Sequence, residues 1–213
     1  EEKGVEKTAA EICIKCFKPK AACICETVAP LQVKTRVLVL QHPQESKELL
    51  GTARLLTLSI EGAKIAVGLS WPSLKAALKE TEANSKEWAV LFVGIQKDYQ
   101  SKDTGPVTVI DRKNQPVALE TVKGLVLLDG SWAQSKTLWW RNAWLLKLNR
   151  IVLNPKLQSL YGDLRREPRR GCLSTMEAAA YCLAEIEERE DLLLELSTTL
   201  QRQLDKIREL KNG

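Results

Sequence analysis

The sequence predicts an α/β protein: a parallel sheet with helices on both faces. Short runs rich in Val, Ile and Leu recur along the chain, they alternate with segments of helical pattern, and turn-forming residues bound them. In order, buried strands are expected at Lys34 to Gln41, Ala63 to Gly68, Trp88 to Gly94, Gly124 to Asp129 and Arg150 to Asn154. Pro72 to Glu80 and Trp132 to Leu148 have helical character. Val107 to Ile110 and Pro116 to Leu119, joined through Asp111 to Gln115, read as a hairpin ahead of the Gly124 strand. A long helical stretch follows from about Thr175. Its last part spaces Leu193, Leu196, Leu200, Leu204 and Ile207 three or four residues apart, a stripe suited to packing on the protein's own core.

With 213 residues, 44% of them hydrophobic and 28% charged, the chain has apolar material for one substantial core. Charged residues interrupt every apolar run well before the ~20 residues of a membrane span, so an integral membrane protein is excluded. The first residues are acidic and polar, unlike the basic start and apolar block of a secretory signal. Neither an internal repeat nor a long linker is visible, and the one boundary falls near residue 30. Residues 1–30 are expected as a cysteine-rich knuckle and 31–213 as the main domain.

Positive charge is unevenly distributed. The net charges of residues 1–30, 31–122, 123–170 and 171–213 are 0, +2, +7 and −4. A basic excess confined to one segment is what a polyanion-binding face requires, and nucleic acid is the leading partner. Arg150, Arg165, Arg166, Arg169 and Arg170 supply half of that segment's cations, and arginine binds phosphate bidentately.

Cys13, Cys16, Cys23 and Cys25 place four thiols within thirteen residues. Four thiolates satisfy tetrahedral zinc, and so short a segment has too little core to fold without such a staple. A structural zinc knuckle is expected, with Lys15, Lys18 and Lys20 presenting positive charge to a phosphate backbone. Clustered thiols suit a reducing cytoplasm. Cys172 and Cys182 read as small core residues.

Leu127-Leu-Asp129-Gly-Ser131-Trp132, Arg165-Arg-Glu-Pro168, Leu173-Ser-Thr175-Met-Glu177, the cysteine cluster and Leu40-Gln-His42-Pro43 together resemble the DTW-domain family. Ser131 stands where threonine is usual, and Val93 where a proline is expected. The resemblance implies a SPOUT-like fold with a trefoil knot in the C-terminal half. The implied activity is that of a tRNA-uridine aminocarboxypropyltransferase, moving the 3-amino-3-carboxypropyl group of S-adenosylmethionine to N3 of uridine. It implies Asp129, Ser131 and Trp132 as catalytic residues. Leu153, Asn154, Pro155, Leu173, Ser174, Thr175 and Glu177 would contact the cofactor, and His42, Arg165, Arg166, Arg169 and Arg170 the RNA.

Residue chemistry accords with these expectations. Asp129 ends an apolar strand, at the sheet edge where open α/β folds place their sites, and uridine N3 must lose a proton before it can attack. The plainer reading of Asp129 is a helix N-cap, shared with Gly130 and Ser131. Ser174 and Glu177 have the spacing of a capping box, yet the helix start so formed could also receive the cofactor's carboxylate. Of Trp132, Trp139, Trp140 and Trp144, most are expected in the core, with Trp132 lining the pocket or stacking on a flipped base. Two competing functions are a methyltransferase using the same cofactor and a zinc-containing RNA-binding protein without activity.

Overall fold

The apolar runs assemble into one six-stranded sheet in the computed structural model, which describes residues 11–91, 105–153, 159–160 and 173–212. Its strands are β1 (Arg36–Gln41), β2 (Lys64–Val67), β3 (Trp88–Leu91), β4 (Val107–Ile110), β5 (Gly124–Asp129) and β6 (Asn149–Leu153). They lie in the order β2-β1-β5-β3-β6-β4. All neighbours are parallel except β4, which pairs antiparallel with β6 at one edge. Every residue of the interior strand β5 is buried, which explains its unbroken apolar sequence up to Asp129.

Among the described residues five α-helices cover the two faces: α1 (Ala53–Ser59), α2 (Leu74–Leu78), α3 (Trp132–Arg141), α4 (Thr175–Glu187) and α5 (Glu190–Asn212). Alternate strand residues sort between two apolar clusters. Val37, Val39, Leu125 and Leu127 pack with α1, α4 and α5, whereas Leu38, Leu40, Val126 and Leu128 pack with α2 and α3. Period-two side-chain alternation thus gives the sheet two dry faces and one helical layer on each.

Three expectations change in detail. The hairpin forms its turn, where the Asp111 carboxylate accepts the N–H groups of Lys113 and Gln115 at 2.7 and 2.9 Å. Its return arm is only a bridge from Pro116 to Ile110 before a 3₁₀ turn at Leu119–Thr121, as suits a proline with no N–H to donate. The helix from Trp132 stops at Arg141 instead of Leu148, because the buried Asn142 bonds away from the helical path. Its Nδ2 donates to the carbonyls of Leu69 and Leu138, and its Oδ1 accepts from Trp71 N–H. The closing helical stretch is two helices. Glu188 adopts a left-handed conformation at φ 53°, and Arg189 ties the bend to the Gln32 carbonyl at 2.7 Å. The turn folds α5 back on α4 and buries Leu192, Leu196, Leu200, Leu204 and Ile207; Leu193 packs beside them.

The amino end of the sheet is fixed by two specific fits. Gly124 lies in register with Trp88 on β3, and a Cβ at Gly124 would meet the indole at 2.2 Å. At the start of β1 and β2, the Glu80 carboxylate bonds to both Arg36 and Lys64, with Lys64 Nζ at 2.6 Å. The cysteine-rich segment is joined to the same core: Ala22 and Ile24 are buried, and Gln203 of α5 donates to the Ala22 carbonyl at 2.5 Å. Among the described residues no helix is long and apolar enough to cross a membrane.

Candidate active site

The carboxyl ends of β1 and β5 are neighbours, and their parallel register sets Gln41 beside Asp129. Asp129 is only 6% exposed. Its Oδ2 accepts from Gln41 Nε2 at 2.8 Å and its Oδ1 from the Thr175 hydroxyl at 2.5 Å. A buried carboxylate is costly unless hydrogen-bonded, and these two donors fix its plane as well as its charge. Each oxygen keeps a further lone pair for a third partner.

The capping role belongs to Ser131. Its hydroxyl accepts from Gln134 N–H at 3.4 Å, and the Gln134 side chain accepts the Ser131 N–H at 2.6 Å, closing a capping box at the start of α3. Asp129 is therefore free of the helix cap. Gly130 is required between them, since a Cβ there would lie 2.8 Å from Gln134 Cβ and 3.4 Å from His42 Cβ. His42 follows Gln41 directly and bonds through its backbone N–H to the Asp129 carbonyl at 2.9 Å. Its ring Nδ1 accepts from Gln44 N–H at 3.3 Å, which leaves Nε2 as the other polar atom of the imidazole. Trp132, 43% exposed, stands at the same corner with Lys136 Nζ 5.6 Å from its ring centre.

Across from this corner, α4 begins. Ser174 accepts from Glu177 N–H at 3.2 Å while Glu177 Oε2 accepts from Ser174 N–H at 2.7 Å, so the expected capping box is present. The same carboxylate receives Leu160 N–H at 2.5 Å and Ser159 Oγ at 3.2 Å, which draws the 159–160 segment to the helix start. Met176 N–H donates to Thr52 Oγ1 at 3.2 Å. Two first-turn amides of α4 are thus used within the protein, and the polar group α4 presents to Asp129 is the Thr175 hydroxyl. Leu153 ends β6 half-buried, and Leu173 lies half-buried just before Ser174. Asn154, Pro155, Arg165, Arg166, Arg169, Arg170 and Cys172 lie outside the described residues.

The other tryptophans divide as their positions dictate. Trp139 and Trp144 are buried, the latter donating Nε1–H to the Trp71 carbonyl at 3.0 Å, while Trp140 is 77% exposed. Cys182 is a core residue whose thiol burial pushes up to about 12.

Cys13, Cys16, Cys23 and Cys25 come together, their four Sγ atoms within 4.8 Å of one another. Cys13 and Cys25 are 3.9 Å apart and Cys16 and Cys23 3.7 Å. A tetrahedron of thiolates about 2.3 Å from zinc has edges of roughly 3.8 Å, so the donor set fits that ion. The backbone N–H of Cys16 pulls the Cys13 thiol down to about 6, whereas burial pushes Cys16 and Cys25 up. A cation at the centre would let all four ionise together. Four thiolates on zinc would leave no coordination position open, so such a group would be a cross-link and not a reaction centre.

From this knuckle Lys18, 3% exposed, donates to the carbonyls of Leu49 and Gly51 at 2.6 and 2.8 Å. Burial lowers its pKa, opposed by the negative charges of Cys16 and Asp129. Thr52 follows Gly51 and holds Met176, so the knuckle, the 49–52 loop and the start of α4 form one connected support behind Asp129. The sequence led us to expect Lys18 to face a phosphate backbone, but its ammonium is buried against the 49–52 loop; sequence reasoning also missed Gln41 and Thr52 as parts of the site. Only Gln41 gave a signal, as the polar residue ending an apolar strand.

A family profile of the DTW domain matches residues 10–208. The chain belongs to the DTW-domain family. Among similar DTW-domain proteins is tRNA-uridine aminocarboxypropyltransferase 2 of Drosophila melanogaster, 32% identical over 201 residues, covering 91% of this chain and 75% of the fly protein. The protein of the same name from Macaca fascicularis is 26% identical over 217 residues, covering 94% and 69%. tRNA-uridine aminocarboxypropyltransferase A of Arabidopsis thaliana is 23% identical over 198 residues, covering 83% and 73%. No solved structure matches the chain.

Proposed function

We propose that this DTW-domain protein is a tRNA-uridine aminocarboxypropyltransferase that uses S-adenosylmethionine as donor. The carrying observation is Asp129, a buried carboxylate at the carboxyl end of β5, held from both sides by Gln41 and Thr175. The names of the animal and plant relatives support the same reaction.

In this reading Asp129 accepts the N3 proton of uridine, or holds the ring while the proton leaves, and the nitrogen lone pair attacks the γ-carbon of the donor. The carbon–sulfur bond breaks, its electron pair neutralises the sulfonium, and methylthioadenosine departs. The sulfonium is already a good leaving group, so the protein's task is to aim the γ-carbon and not the methyl at N3. Ser131 fixes the start of α3 and Trp132 offers a ring at the corner for the target base. Leu153, Leu173, Ser174 and Thr175, with Asn154 and Pro155, would wall the donor, and Glu177 would hold that wall in place. His42 and the arginines at 165, 166, 169 and 170 would meet the RNA. Cys13, Cys16, Cys23 and Cys25 would hold a structural zinc that braces the 49–52 loop.

The reading takes the fold as SPOUT-like with a trefoil knot in the C-terminal half, supported by the open, mostly parallel sheet. It takes 1–30 as a knuckle docked on a catalytic body at 31–213, supported by Ala22 and Ile24 beneath α5. A cytoplasmic setting is supported by the free, clustered thiols.

The test is Asp129→Asn under single-turnover conditions with tRNA, reading methylthioadenosine release and the mass added to uridine. Loss of about 10²–10⁴ in rate with donor binding intact is expected for a positioned base. A wild-type product heavier by one methyl group would overturn the transfer chemistry, and near-normal turnover of the variant would remove Asp129 from it.

A further inference from the structure

Trp132, Lys136 and Trp140 are spaced four residues apart on α3, so they form one line along its outer face, about 12 Å from first to last at 1.5 Å per residue. All three are exposed, as are Arg141 at the end of the helix and Lys147 in the turn beyond. Trp140 presents 77% of its surface to solvent, while its sequence neighbour Trp139 is buried against the sheet. The helix therefore has its core aromatic already, and Trp140 adds nothing to that packing. No acidic side chain occurs between Gly130 and Leu153. An exposed indole next to cations, on a stretch of chain without acidic residues, suits a partner with flat rings and phosphates.

We propose that the outer face of α3 is a track for unpaired nucleotides flanking the target uridine, with a base stacked on Trp140 and phosphates held by Lys136, Arg141 and Lys147. The track starts at Trp132, beside Asp129, and leads away along the helix. It therefore takes RNA that continues beyond the reacting base, as a loop or single-stranded end of tRNA does. The same side chains could not read a closed duplex by stacking, because paired bases keep their faces within the helix. This inference rests on tRNA being the substrate.

The experiment measures equilibrium binding of unfractionated tRNA by full-length wild type, Trp140→Ala, Trp140→Phe, and Lys136→Gln combined with Arg141→Gln. Trp140→Ala should bind about 5- to 100-fold more weakly, the range given by loss of one base–aromatic stack. Trp140→Phe should recover much of that loss. The double cation variant should bind more weakly and lower the salt slope by about 2, roughly one phosphate contact per cation. Leu194, a comparably exposed apolar residue on α5, supplies the control: Leu194→Ala should bind as wild type. Unchanged affinity of Trp140→Ala, or equal losses in Trp140→Ala and Leu194→Ala, would overturn the track. These binding data stand apart from turnover: a wild type that binds tRNA without making methylthioadenosine defeats the proposed reaction, and the α3 comparison is still decided.

Discussion

At Asp129 two donors and one acceptor group decide what each substitution means. In Asp129→Asn the new carbonyl can still accept from Thr175, but the new amide would face Gln41 Nε2, donor against donor. Gln41 Oε1 is buried and lacks a hydrogen-bond partner among the described residues, so a half-turn of the Gln41 amide restores a good pair. The variant should therefore melt within about 1 kcal/mol of wild type, the worth of one hydrogen bond, and its lost activity would report chemistry. Thr175→Val is the complementary change. It removes the donor to a buried carboxylate and should cost about 1–3 kcal/mol in denaturant melts, together with a fall in transfer rate that Thr175→Ser restores. A rate loss that Ser does not rescue would mean that Thr175 acts through packing. Asp129 was legible in the sequence as the polar end of an apolar strand. The hands that hold it were not, because Gln41 and Thr175 lie 88 and 46 residues away and only the sheet register and the placing of α4 bring them in.

Among the elements, β1 and β2 depend on an ion-pair clamp that pH can release. Lys64 first, then Arg36, hold the Glu80 carboxyl below its ordinary range by hydrogen bonding. A carboxylate with a depressed folded pKa stabilises the protein above its unfolded pKa, about 4.3, and that contribution disappears as pH falls through the folded value. Glu80→Gln should thus lower Tm at pH 7 by a few degrees, consistent with about 1 kcal/mol for a partly exposed network. The difference between variant and wild type should close as the pH falls through the folded value; a gap that persists once the carboxyl is protonated would mean a steric effect. Strands and helix starts were readable because apolar period and capping chemistry are local. Helix ends were harder to read: α3 stops at Asn142 because of carbonyls at Leu69 and Leu138 and an N–H at Trp71, and α4 breaks from α5 where Arg189 finds Gln32.

For the molecule as a whole, the proposed zinc makes the knuckle the part whose stability would rest on a ligand. Freshly reduced protein should contain about one zinc per chain by elemental analysis. Chelation should loosen residues 11–27 and, through Lys18 and the 49–52 loop, raise hydrogen exchange at the start of α4 while the sheet interior stays protected. Fully folded, active, metal-free protein would remove zinc from the account. The four thiols were visible in the sequence from their spacing alone. Their reach to the site was not, since a lysine between cysteines gives no sign that its ammonium will be buried against a loop more than thirty residues away.

The contact between Ala22 and Gln203 spans 181 residues, and it carries a consequence for the order of events during translation. The knuckle leaves the ribosome well before α5, the helix that lays down its inner wall. Asp129 likewise emerges before Thr175. A nascent chain stalled between residues 132 and 175 carries the whole Asp-Gly-Ser-Trp motif while its carboxylate still lacks one of its two supports. If Asp129 acts as proposed, competence therefore waits for α4 to dock and complete its supports.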